Sequence, residues 1–110
     1  VKDVAEQMNA QDIPMKELRV DGGAARNNLL LQFQSDLLDI PIIRSGQLEA
    51  TAWGAAAMAG LGAGLIKSTD EVEKDWIQDR LFKPEKNRDK DYAGWQRALK
   101  GAFAYAGAQA

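Results

Sequence analysis

"LRVDGGAARNN", Leu18–Asn28, reads as a strand that runs through a tight turn into a helix. Glu17 to Val20 forms the short strand, and Asp21-Gly22-Gly23 the turn, where glycine admits backbone conformations closed to other residues. In α/β proteins such a junction is a common place to hold a phosphate or a nucleotide. No lysine follows the glycines where a P-loop needs one, and the spacing G-x-G-x-x-G is absent. Two glycines let a ligand lie against the backbone, and an asparagine one turn later can both donate and accept. That combination suits an adenine or a ribose better than a triphosphate. The same residues would serve equally in a plain strand-to-helix turn, with Asn27 and Asn28 as polar residues of the first helical turn. By itself the stretch leaves both readings open.

Downstream of the turn, the spacing predicts a helix from about Ala25 to Leu38. Its apolar face is Leu29, Leu30, Phe33 and Leu37, and its wet face Gln32, Gln34, Asp36 and Asp39. Pro41 blocks its continuation, and Ile42-Ile43 suits a second short strand. Upstream, residues 1–10 read as a helix, with Val1, Val4, Ala5 and Met8 at i, i+3, i+4 and i+7, and Gln11–Lys16 as a loop around Pro14. No capping residue precedes that helix and no methionine opens the chain, so the expectation is a segment of a longer protein.

Residues 50–66, ATAWGAAAMAGLGAGLI, carry no charge. Ala52, Ala56, Gly60 and Gly64 form a small-residue stripe beside a second one of Trp53, Ala57, Leu61 and Leu65. These stripes predict a buried packing helix. The 17 uncharged residues stand at the short limit for crossing a bilayer, and Ala and Gly supply little transfer free energy, so membrane insertion is not expected. The Ser68–Glu71 spacing predicts a capping box opening a short helix through about Lys74. Arg80–Lys83 reads as extended chain before Pro84. A last helix spans about Arg88–Tyr105, with Tyr92, Trp95, Leu99, Ala102 and Phe103 as a buried stripe.

A chain of 110 residues is one domain or part of one. With 45% hydrophobic and 27% charged residues it has the composition of a soluble globular protein. Its net charge of −2 argues against general nucleic-acid binding, which needs a basic face. Cysteine and histidine are both absent, which excludes disulfides, thiol nucleophiles, histidine-based triads and zinc sites built on either residue. Two or three short strands make a poor sheet by themselves, so an α/β core would draw further strands from outside this chain.

The ordered set "LRVDGGA", "NN", "QFQSDLL", "IPIIR" and "E-x-T-A-x-G-A-A", ending in "AGWQRALK", resembles the C-terminal lobe of the FGGY carbohydrate kinases along essentially the whole chain. "QFQSD" leans toward those members that act on glycerol rather than on pentuloses. The resemblance implies an α/β fold, part of a C-terminal actin-like (ribonuclease H-like) ATPase lobe, helix-rich with two or three short strands, with residues 1–110 as a partial, nucleotide-side domain. It implies transfer of the γ-phosphoryl of Mg-ATP to a terminal hydroxyl of glycerol in the cytoplasm. In that reading Gly23 packs against the nucleotide, Asn27 hydrogen-bonds it and Ala24 lines the same wall, while Glu49 and Thr51 start the small-residue helix. Catalytic residues and ligands for Mg2+ are expected outside the segment, so that the chain alone has no kinase activity. ATP/ADP and glycerol are met through the rest of a full-length homo-oligomer. Between Pro84 and Trp95, "PEKNRDKDYAGW" is shorter and more charged than in enterobacterial members, where a phosphotransferase-system regulator docks, so that regulation is not implied. Alternatives are a segment of a related pentulose kinase, or a non-catalytic packing or interaction module of the same fold.

Overall fold

The computed structural model describes residues 1–47 and 49–107. Its elements run α1 (Lys2–Asn9), β1 (Leu18–Val20), a 3-10 turn (Gly23–Arg26), α2 (Asn28–Leu38), β2 (Ile42–Ser45), α3 (Ala50–Gly62), α4 (Thr69–Lys74), β3 (Gln78–Phe82) and α5 (Asp89–Tyr105). The helix expected from Ala25 is instead two pieces. The chain is extended at Asn27 (φ −80°, ψ 105°), and only from Asn28 does α2 begin. Asparagine favours this cap position because its side-chain oxygen can take an otherwise unpaired N–H of the first turn.

β2 lies at the centre of the sheet. β1 pairs with it in parallel, Leu18 opposite Ile42 and Val20 opposite Arg44, while β3 runs antiparallel with Ile42 opposite Phe82 and Arg44 opposite Arg80. A parallel pair needs a crossover connection, and the 3-10 turn with α2 provides it. Pairing then passes from Arg44–Arg80 to Ser45–Gln78, which leaves Asp79 as the extra residue of a bulge.

Ala25, Leu31, Ile42 and Phe82 form the buried core, with Leu18, Val20 and Leu38 packed on it. Burying side chains of the Leu, Ile and Phe size contributes roughly 1.5–3 kcal/mol each. The inward face of α2 is therefore Leu31, Ser35 and Leu38, at i, i+4 and i+7. This corrects the expected face, since Leu29 is 76% exposed and Phe33 and Leu37 are only half-buried. The Ser35 hydroxyl lies 2.8 Å from the Ile40 carbonyl and 3.1 Å from that of Phe82, so its burial leaves no polar group unpaired.

Asp36, expected on the wet face, is also buried. Its carboxylate accepts hydrogen bonds from the Glu85 N–H (2.8 Å), the Lys86 N–H (3.4 Å), Gln32 Nε2 (3.0 Å) and Arg88 Nε (3.4 Å), tying α2 to the loop before α5. Desolvation pushes its pKa up, but the four donors together outweigh that and hold it below the usual carboxylate value. A polar clasp joins α1 to α5. Asp3 accepts from the Tyr92 hydroxyl and from Trp95 Nε1 (2.9 Å), while the Lys2 ammonium lies 4.3 Å from the centre of the Tyr92 ring.

Helix ends follow local chemistry. α2 stops on Asp39 in the left-handed conformation (φ 55°, ψ 35°) with Pro41 just beyond. Ser68 does precede α4, but its hydroxyl makes no capping bond. Glu71 reaches the Lys67 N–H instead (3.2 Å), so the expected capping box does not form.

The stripes read as buried are mostly exposed. In α3 only Ala57 is buried, in α5 no residue is, and in α1 only Ala5. Trp95 is 52% exposed. The reason is visible in the shape. The Cα radius of gyration is 17.9 Å, against about 13 Å for a compact domain of this length. The accessible surface of 8154 Å² exceeds by roughly a third what a compact monomer of this mass shows. Helical periodicity marks a face that wants covering, and the described residues do not supply the cover. None of the described helices is long and apolar enough to cross a membrane.

Candidate functional site

The turn between β1 and α2 gathers all three residues expected to touch a nucleotide. Gly23 and Ala24 open the 3-10 turn and Asn27 closes it, its N–H bonded to the Ala24 carbonyl at 3.1 Å. All three side-chain positions are exposed. Ala25, between them, is buried and anchors the turn to the core under Ile42 and Phe82.

The two glycines differ in what they do. Gly22 has φ 90° and ψ 176°, a conformation essentially reserved for glycine, and it turns the chain out of β1. Gly23 has no positive φ, and a Cβ built on it would meet nothing within 4 Å. Neither backbone conformation nor crowding by the described residues calls for glycine there. Its missing side chain leaves open space in front of the turn.

Asn27 is committed on one side only. Its Oδ1 accepts the Leu30 N–H at 3.1 Å, capping α2, and its backbone carbonyl takes the Leu31 N–H at 3.2 Å. Among the described residues its Nδ2 has no partner, so the amide presents two donors to solvent. The turn can therefore donate to a ring nitrogen or a ribose oxygen beside the open backbone of Gly23. No lysine or arginine stands at either glycine; Arg26 closes the turn's last position.

One residue of the site escaped sequence reasoning. Arg44, at the end of β2, is 12% exposed in its side chain. Its Nη1 lies 3.1 Å from the Ala25 carbonyl, 3.4 Å from the Arg26 carbonyl and 2.8 Å from Asn28 Oδ1, and its Nε donates to Asp79 Oδ2 at 2.6 Å. A charged residue directly after two buried isoleucines was the available signal, but it becomes meaningful only once the strand register sets Arg44 opposite Val20, beside the turn.

A hollow of about 550 Å³ lies between α1, the end of α2 and residues 84–89, and none of Gly23, Ala24 and Asn27 lines it. It is polar and crossed by the Asp36 network, so it belongs to the joint between α2 and α5. Glu49 stands immediately before α3 without a side-chain capping bond. Among the described residues no group of three or more Asp or Glu side chains stands close enough to hold a metal ion.

A parallel β-turn-α-β unit with an antiparallel third strand and an open glycine turn at the strand end fits a segment of an α/β, actin-like lobe. A xylulose kinase from Lactobacillus acidophilus shares this fold, with a TM-score of 0.63 and 18% identity, covering 89% of this chain and 21% of that one. The chain belongs to the FGGY family of carbohydrate kinases, whose C-terminal-domain model matches residues 1–63. It is similar to the glycerol kinase of Acinetobacter baylyi, 53% identical over 92 residues (81% of this chain, 19% of the relative). With the glycerol kinase of Bacillus velezensis it shares 48% identity over 108 residues (94% and 22%). The chain thus spans about a fifth of the length of these relatives.

Proposed function

We propose that this chain is the C-terminal part of an ATP-dependent glycerol kinase, which makes sn-glycerol 3-phosphate, and that Gly23, Ala24 and Asn27 form one wall of its adenine-nucleotide site. The observation that carries the site is the pairing of Gly23, whose missing side chain nothing in its own surroundings requires, with the free Nδ2 donors of Asn27. The acceptor is argued from the glycerol kinase relatives, which match most of the chain. In this reading ATP, bound with Mg2+, supplies the phosphoryl group when it occupies that site. Residues 1–110 act together as a nucleotide-side partial domain. Asn27 donates to the nucleoside, the Gly23 backbone lies against it and Ala24 lines the same surface. Phosphoryl transfer also needs phosphate ligands, a base and an acceptor clamp, which are assigned to other segments of a longer chain working in the cytoplasm.

The test is ADP formation by the purified full-length protein, with glycerol and with D-xylulose as acceptors. Glycerol-dependent turnover is expected. Preference for xylulose would move the assignment to a pentulose kinase, and no acceptor-dependent turnover would leave a non-catalytic module of the same fold. The 110-residue chain by itself is expected to be inactive.

A further inference from the structure

We infer that Arg44 is a positioning residue for the nucleotide wall, with Asp79 as its holder; this rests on the reading of the turn proposed above. The last carbonyls of any helical turn lack intrahelical partners. Here those of Ala25 and Arg26 both face one guanidinium nitrogen, Arg44 Nη1, at 3.1 and 3.4 Å, and the same nitrogen reaches Asn28 Oδ1 at 2.8 Å. These partners bracket Asn27 on both sides in sequence. Arg44 thereby fixes the peptide entering Asn27 and the residue leaving it, and so the direction in which the free Asn27 amide points. A guanidinium makes such multiple contacts in a fixed plane, whereas a lysine ammonium cannot keep the carboxylate and the turn together.

Asp79 sets the angle of that plane. It is the extra residue of the β2–β3 bulge, and bulges re-aim side chains at sheet ends. Its carboxylate takes Arg44 Nε at 2.6 Å, leaving Nη1 aimed at the turn. The pair links β3, more than fifty positions along the chain, to the turn at residues 23–28. The Asp79 side chain is half exposed, so the contact contributes orientation more than stability.

The experiment uses the full-length protein with Arg44→Lys, Asp79→Asn and Asn27→Asp. Its readouts are the Kd for ADP by calorimetry, KM for ATP and for glycerol, and hydrogen exchange of residues 23–28 without nucleotide. Arg44→Lys is expected to speed exchange of the Asn27 amide and to raise the Kd for ADP and KM for ATP about tenfold, with KM for glycerol unchanged. Asp79→Asn is expected to act in the same direction by about threefold, and the double variant to be no worse than Arg44→Lys, as for two residues acting through one contact. Asn27→Asp, which keeps the cap but loses both donors, separates the two claims. If Asn27→Asp weakens ADP while Arg44→Lys and Asp79→Asn do not, the positioning role is overturned and the nucleotide wall stands. If none of the three changes the Kd for ADP, both are overturned. Should Arg44→Lys fail to fold, Asp79→Asn decides by the same readouts.

Discussion

Replacing Gly23 with alanine should make the protein more stable and its nucleotide binding worse. Gly23 lies at the start of the 3-10 turn without a positive φ, and its added Cβ meets no heavy atom within 4 Å. The methyl group therefore costs nothing in the folded chain and removes freedom from the unfolded one, a gain of about 0.4–1 kcal/mol. If a nucleoside lies against this backbone, the same methyl occupies its contact surface. A displacement that loses even one good contact, about 1.4 kcal/mol, raises the Kd tenfold. Gly22→Ala is the control. Its φ of 90° and ψ of 176° are strained for any residue with a Cβ, so it should cost about 1–3 kcal/mol of stability. Urea unfolding and ADP calorimetry on both full-length variants check the pair. Unchanged ADP affinity in a stabilised Gly23→Ala protein would refute the placement of the nucleotide.

Other consequences follow from the polar contacts. Asn27→Ala should cost about 1 kcal/mol through the lost helix cap while Asn27→Asp costs little, a contrast that urea unfolding resolves. Asp36→Ala should cost about 2–3 kcal/mol by removing the shared acceptor of the Glu85 and Lys86 N–H groups and the Gln32 amide, of which, among the described residues, only Gln32 keeps a second partner, the Lys83 carbonyl. Because the folded-state pKa of Asp36 is depressed, its stabilisation is complete above the unfolded carboxylate value near 4 and is lost as pH falls from there through the lower folded value; acid unfolding of wild type and Asp36→Asn should converge only once the folded carboxylate is protonated. Asp39→Gly should stabilise by up to about 1 kcal/mol in urea unfolding, since Asp39 closes α2 in the left-handed region.

Much of the architecture was legible because local chemistry dictates it. Pro41 and the Ile42-Ile43 pair mark the end of α2 and the start of β2, and DGG marks the turn. What failed was the choice of inward face. Three consecutive leucines, Leu29 to Leu31, permit several helical phases. The true phase runs through Ser35 and beside Asp36, whose polarity hides their burial until their partners on Phe82, Glu85 and Lys86 are known. The capping box failed for a similar reason, since Glu71 accepts from the Lys67 N–H and the Ser68 hydroxyl makes no capping bond. The stripes of α3 and α5 have the right periodicity, but sequence cannot say which other segment covers them. The turn itself was readable from its glycines and asparagines. Arg44 was not, because its role depends on register with Val20 and on a bulge at Asp79.

A nucleotide seated against the Gly23–Asn27 turn would shield that turn from solvent. Hydrogen exchange of the full-length protein with and without ADP tests it most directly. Added protection on ADP binding is expected at residues 23–28, with little change at 84–89, which line the hollow between α1 and the end of α2. Protection at 84–89 with unchanged exchange at 23–28 would contradict that placement.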